Sequence, residues 1–147
     1  MTKKEILALI GRKLDSNISE LTQSLQSYEA ASNMDEGDTL DPEDFSQQTE
    51  HKEMQMRMKV QLDQARNQLL RLGELSGKDH SISEAGALLE TDRNWLFLGI
   101  SFSAMPVGNK ELLGISPESP AFASIRGKRA GDHFQLGKDQ YKILAIH

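Results

Sequence analysis

Apolar side chains in the first half of this chain recur every three or four residues on both sides of a short acidic segment, and this double stripe limits the fold more than any other feature. Leu7, Ile10, Leu14, Ile18, Leu21, Leu25 and Tyr28 are spaced 3, 4, 4, 3, 4 and 3, which puts them on one face of one long helix. Met54 (or Gln55), Met58, Leu62, Ala65, Leu69 and Leu72 repeat the same alternation downstream. Two matching seams joined by a polar connection predict an antiparallel α-helical hairpin, a coiled coil in which each helix covers what the other must bury, over residues 1–75. The second helix has a start signal in Asp41 as N-cap, Pro42 at the first helical position and Glu43 and Asp44 in the first turn, where carboxylates favour the helix dipole. Gly73 and Gly77 signal its end. Helices of about 30 residues, at roughly 1.5 Å each, are on the order of 45 Å long, more than a small domain needs for its own core. Such a hairpin serves either for reaching into a partner or for dimerisation.

The connection between the stripes, near residues 35–44, is the hairpin tip. From Glu29 to Asp44 the chain has seven acids and no Lys or Arg, so this stretch carries −7 against −5 for all 147 residues and the remainder is +2. Like charges this close repel unless solvent or a counter-ion screens them. The tip is therefore either a solvated turn or negative charge offered to a cation, and a broad nucleic-acid-binding face is not expected there.

Near "SGKDHS" (76–81) the character changes, which places a second domain at 76–147. "GALLET", "NWLFLGISF", "ELLGIS", "HFQL" and "YKILAI" read as strands separated by turn signals such as "TDRN" and "LGKDQ". "SPESPAFASIRG" reads as one short helix, capped by Ser116 or Ser119 and closed by Gly127. The fold class is α+β: a helical hairpin, then a small antiparallel sheet packed on one helix, with Trp95, Phe97, Phe102, Phe122, Phe134 and Tyr141 as core. Cysteine is absent and the N-terminus returns to charge after a short apolar run, so the expectation is a cytoplasmic chain with no signal peptide and no membrane partner.

"ISPESPAFASIRGKRAGD", Ile115 to Asp132, resembles the C-terminal signature of the bacterial Gre-type transcript cleavage factors. In that family the signature belongs to an FKBP-like domain preceded by a long helical hairpin. "GDTLDPEDF", Gly37 to Phe45, lies without a gap on the family's tip pattern, G-D-L-K-E-N-A-E-Y. The resemblance implies a factor that binds RNA polymerase and inserts its acidic tip into the secondary channel. It would there stimulate cleavage of backtracked RNA by the polymerase, being no complete enzyme itself. It places the functional acids at Asp38 and Asp41 and the polymerase-binding signature at Ser119, Pro120, Gly127, Lys128, Gly131 and Asp132. It implies Mg²⁺ supplied by the polymerase and shared with Asp38 and Asp41, indirect contact with the nascent RNA 3′ end, and no small-molecule substrate. The chain departs from the pattern in Asp41 (usually Glu), Pro42 (usually Asn) and Arg126 (usually apolar).

Residue types alone allow the chemistry: Mg²⁺ prefers oxygen ligands and is commonly held by one or two carboxylates with waters and phosphate oxygens. Each acid also has a structural use, Asp41 as N-cap and Asp38 in a turn. A channel regulator that does not stimulate cleavage is the alternative, and a peptidyl-prolyl isomerase a third reading from the FKBP-like half. His51, His80, His133 and His147 are too far apart in sequence for the usual zinc spacing, and "GKRAGD" is not a phosphate loop. Lys52, Arg57, Lys59, Arg66 and Arg71 on the second helix are either an RNA contact or a solvated face.

Overall fold

The computed structural model describes residues 1–34 and 42–147. Two long helices, α1 (Lys3–Met34) and α2 (Pro42–Leu75), precede six strands and a short helix. These are β1 (Leu88–Thr91), β2 (Trp95–Leu98), β3 (Met105–Val107), β4 (Lys110–Ile115), α3 (Pro120–Ile125), β5 (His133–Leu136) and β6 (Asp139–Ile146). The chain divides into two compact units, Gly11–Leu69 and a second made of Met1–Ile10 with Leu70–His147. No described helix is long and apolar enough to cross a membrane.

In the helical unit, α1 and α2 pair antiparallel. Residues 17–24 of α1 share one groove with residues 61–68 of α2, and residues 22–29 share another with residues 59–66. Leu14, Leu62 and Ala65 are buried; Ile18, Leu21, Leu25, Tyr28, Met54, Met58 and Leu69 are half-buried along the same seam. Two helices cover each stripe from one side only, so most seam residues keep some exposure. Tyr28 meets His51 edge to face at 5.8 Å between ring centroids. Thr22 and Ser27 donate their hydroxyls to the carbonyls of Ile18 and Gln23, the i−4 bond that lets these residues sit inside a helix.

The start of α1 is fixed by a capping box. Thr2 Oγ1 accepts from Glu5 N at 3.2 Å, and Glu5 Oε2 accepts from Thr2 N at 3.0 Å, so two otherwise orphaned donors are satisfied reciprocally. Ile6 is fully buried beside Ile10, and Leu7 only half. At the other terminus α2 runs through Gly73 to Leu75. Gly77, at φ +94°, follows the helix, so only one of the two predicted glycine stops operates. Ser76 holds the last turn, its N donating to Leu72 O at 3.0 Å and its Oγ to Gly73 O at 2.8 Å.

The sheet order is β3-β4-β2-β1-β6-β5. All neighbours are antiparallel except β2 and β4, which run parallel with Trp95 opposite Leu112 and Leu98 opposite Ile115. That pairing follows from β3, an edge strand containing Pro106: the chain leaves β2, passes to the edge and returns as β4 between them. A proline lacks the N–H that an interior strand must donate, so the edge is where it fits. The 99–104 connection is held down on β4 by Phe102, whose ring occupies the space a side chain at Gly114 would need. Consecutive residues Leu88 and Leu89, and Leu96, Phe97 and Leu98, are all fully buried, so the central strands are covered on both faces. One face packs Leu89, Leu96, Leu98 and Ile143 with Phe122 and Ile125 of α3 and with Phe134 of β5. Phe134 and Tyr141, opposite each other across β5 and β6, stack at 5.2 Å, and Arg93 lies over Tyr141 at 5.5 Å. Of the six expected core aromatics, Phe97, Phe122 and Phe134 are buried, whereas Trp95, Phe102 and Tyr141 are half-buried.

Candidate functional site

The residues of the C-terminal signature lie at both ends of α3, Ser119 and Pro120 at its start and Gly127, Lys128, Gly131 and Asp132 in the turns after its end. Ser119 is its N-cap, with extended backbone and an Oγ that accepts from Phe122 N at 3.4 Å and donates to Ser116 O at 2.9 Å. Pro120 takes the first helical position, where its missing N–H costs nothing. At the C-terminal end Arg126 N donates to Phe122 O at 2.9 Å, and Gly127 turns the chain at φ +80°, a region that disfavours any Cβ. Gly127 N then donates to Ser83 O, and Ser83 N to Lys128 O, both at 2.8 Å, which binds the loop to the segment entering β1. Asp132 closes the next turn: its Oδ2 accepts from Arg129 N at 2.8 Å and its carbonyl accepts from Ile143 N at 2.9 Å, beside Gly131 N donating to Ile143 O at 2.7 Å.

Ser119 and Asp132 thus hold the loops of this unit through their side chains, Gly127 through its conformation, and Lys128 and Gly131 through backbone hydrogen bonds. The result is a rigid surface of short loops, the setting in which binding residues are commonly displayed. Beside it lies a groove of about 600 Å³ lined by Glu84, Ala85, Pro117, Phe122, Ala123 and Arg126.

Asp38 and Asp41 lie outside the described residues, as does the capping of α2 by Asp41; α2 itself opens at Pro42, where the start signal put it. Among the described residues no group of three or more His, Asp or Glu side chains is placed to hold a metal ion. Of the α2 cations, Lys59 and Arg66 line a groove with Glu29 and Asp63, and Arg71 Nε donates to Gly99 O at 2.8 Å, which gives Arg71 a structural task.

Sequence spacing did not reveal His80. Its ring is 10% exposed; Nδ1 lies 2.6 Å from Glu84 Oε1, and Nε2 is buried without a partner among the described residues. The spacing of His80 and Glu84 is a signal only for a helix, and this segment is irregular. Lys3 is a second such group: its Nζ donates to the carbonyls of Lys78 at 2.6 Å and His147 at 3.2 Å, and burial lowers its pKa, opposed by the charge of Asp79.

No protein-family model and no curated protein matches the chain. Among solved structures it is similar to the crystal structure of GreA factor homolog 1 (Gfh1) of Thermus thermophilus, at 22% identity over 97% of this chain and 93% of that one, with a TM-score of 0.34. A second structure, of the transcription factor Gfh1, is 21% identical over 97% and 92%, with a TM-score of 0.31. Similarity at this level carries no conclusion about activity.

Proposed function

We propose that this chain is a Gre-like factor that binds RNA polymerase through its C-terminal unit and places the acidic connection between α1 and α2 in the secondary channel. There it stimulates cleavage of backtracked RNA by the polymerase and has no complete active site of its own. The observation that carries this reading is the pairing of two antiparallel helices, of 32 and 34 residues, around a connection that concentrates the negative charge of the chain. The Gre-like signature on a rigid loop surface supports the docking half of the proposal. Asp38 and Asp41 are the residues that would share a polymerase-held Mg²⁺. Such a cation promotes phosphodiester hydrolysis by activating water and stabilising the leaving oxygen. This chain would contribute carboxylate charge and the reach to deliver it.

Incubating the purified protein with a stalled, backtracked elongation complex tests the proposal directly. Shortening of the RNA from its 3′ end, dependent on the protein, is the expected result. Pro42 and the additional acids Glu43 and Asp44 favour a second reading, a channel regulator that docks identically and does not stimulate cleavage. Binding accompanied by altered elongation and no shortening would select it.

A further inference from the structure

Sulfur in this chain is thioether only: it has six methionines and no cysteine, and three of the six, Met54, Met56 and Met58, fall within five residues of α2. We propose that Met54 and Met58 are a site of reversible oxidation, at which a peroxide converts them to sulfoxides and opens the helix pair beside them. Residues four apart share a helix face and residues two apart do not. Met54 and Met58 are accordingly half-buried on the seam with α1, whereas Met56 between them is 68% exposed. His51, whose ring meets Tyr28, and Leu62, the next buried residue of α2, bracket this stretch. Between them Met54 and Met58 are the only apolar residues of α2 that are not fully exposed, so this length of seam depends on the two thioethers.

Two helices cover each stripe from one side only, which leaves these sulfurs within reach of a small oxidant. A sulfur lone pair attacks one peroxide oxygen, an S–O bond forms as the O–O bond breaks, and the departing hydroxide takes up the remaining proton as water. Sulfur loses two electrons and the peroxide gains them. The product is a polar, hydrogen-bond-accepting sulfoxide in place of a flexible apolar side chain. At Met56 the new oxygen is already in water and changes little. At Met54 and Met58 it must either lose hydration on the seam or draw the seam open, because a polar group buried without a partner is costly. Between Gly11 and Leu69 the buried apolar residues among those described are Leu14, Leu62 and Ala65, so little else resists the opening. Met105, 8% exposed in the sheet, is shielded from the same reagent.

The test treats full-length wild type, Met56→Leu and the double variant Met54→Leu/Met58→Leu with hydrogen peroxide. Peptide mass spectrometry reads sulfoxide at each methionine, and amide hydrogen exchange over residues 51–61 reads the opening. Leucine is close to methionine in volume and has no sulfur, so the double variant is expected to fold and to resist the reagent. In wild type Met56 should be converted first, without effect on exchange. Exchange over 51–61 should then quicken by about tenfold or more as Met54 and Met58 are converted, and should return after treatment with methionine sulfoxide reductases. Met56→Leu should respond as wild type, and the double variant should not respond. Full conversion of Met54 and Met58 with unchanged exchange would overturn the proposal. So would an equal response in the double variant, or no conversion of the pair at a dose that oxidises Met56 completely.

Discussion

Between Gly11 and Leu69 the buried apolar residues among those described are Leu14, Leu62 and Ala65, the last two still 6% and 7% exposed, whereas the unit built on the sheet fully buries Ala87 to Leu89, Leu96 to Leu98, Leu112, Ile125 and Ile143. Among the described residues the seam of the helical unit is flanked by open grooves lined largely by polar side chains; the sheet has apolar cover on both faces. One region therefore maximises length and surface per residue, and the other rigidity. The proposed roles divide along that line, with the acidic connection assigned to the helical unit and docking to the unit built on the sheet.

The same truncation should read the difference. Leu98→Ala, in the core under α3, is expected to cost about 3–4 kcal/mol in denaturant unfolding, because it removes buried area and leaves a cavity among β1, β4 and α3. Leu25→Ala, half-buried on the seam, should cost about 1 kcal/mol, since water can occupy the space. Equal costs would mean that the seam is as well packed as the sheet core.

At the tip the order of effects should reverse. Asp38→Asn and Asp41→Asn are expected to reduce RNA cleavage on the order of a hundredfold while polymerase binding and melting temperature hold. Asn is a good N-cap, so helix content measured by circular dichroism should not change. Unchanged cleavage in both variants would make the acids a solvated turn.

Gly99 sharpens the comparison where α2 ends. It adopts φ +126°, and a Cβ there would lie 2.5 Å from Leu75 Cδ1. Gly99→Ala should therefore destabilise by about 1–3 kcal/mol. Adding Leu75→Ala should relieve the clash and leave the backbone cost, so the pair should be non-additive in a double-mutant cycle. The smallest effect has the opposite sign. Gly73 sits inside α2 with open space around it, and Gly73→Ala should stabilise by about 0.5–1 kcal/mol, read as a raised melting temperature.

Much of this architecture is legible in the residues themselves. Thr2 and Glu5 spell a capping box at the start of α1, and Ser119 and Pro120 spell the start of α3, because caps depend on neighbours within four residues. The stripes on α1 and α2 show which faces meet, since helical period is a local property. β3 is not legible: "MPV" is short and contains a proline, and it is a strand only because an edge tolerates one missing donor.

What the sequence by itself determined is the set of helices, most of the strands, the concentration of acid at 29–44 and the signature around α3. All of these are written in spacing, charge and turn chemistry. The tertiary structure alone decided the parallel pairing of β2 with β4 and the burial of Ile6 ahead of Leu7. It also decided the groove that brings Glu84 and Ala85 together with Pro117, Phe122, Ala123 and Arg126. Each of these depends on which distant segment supplies the other surface, and a partner eighty residues away leaves no period in the chain that meets it.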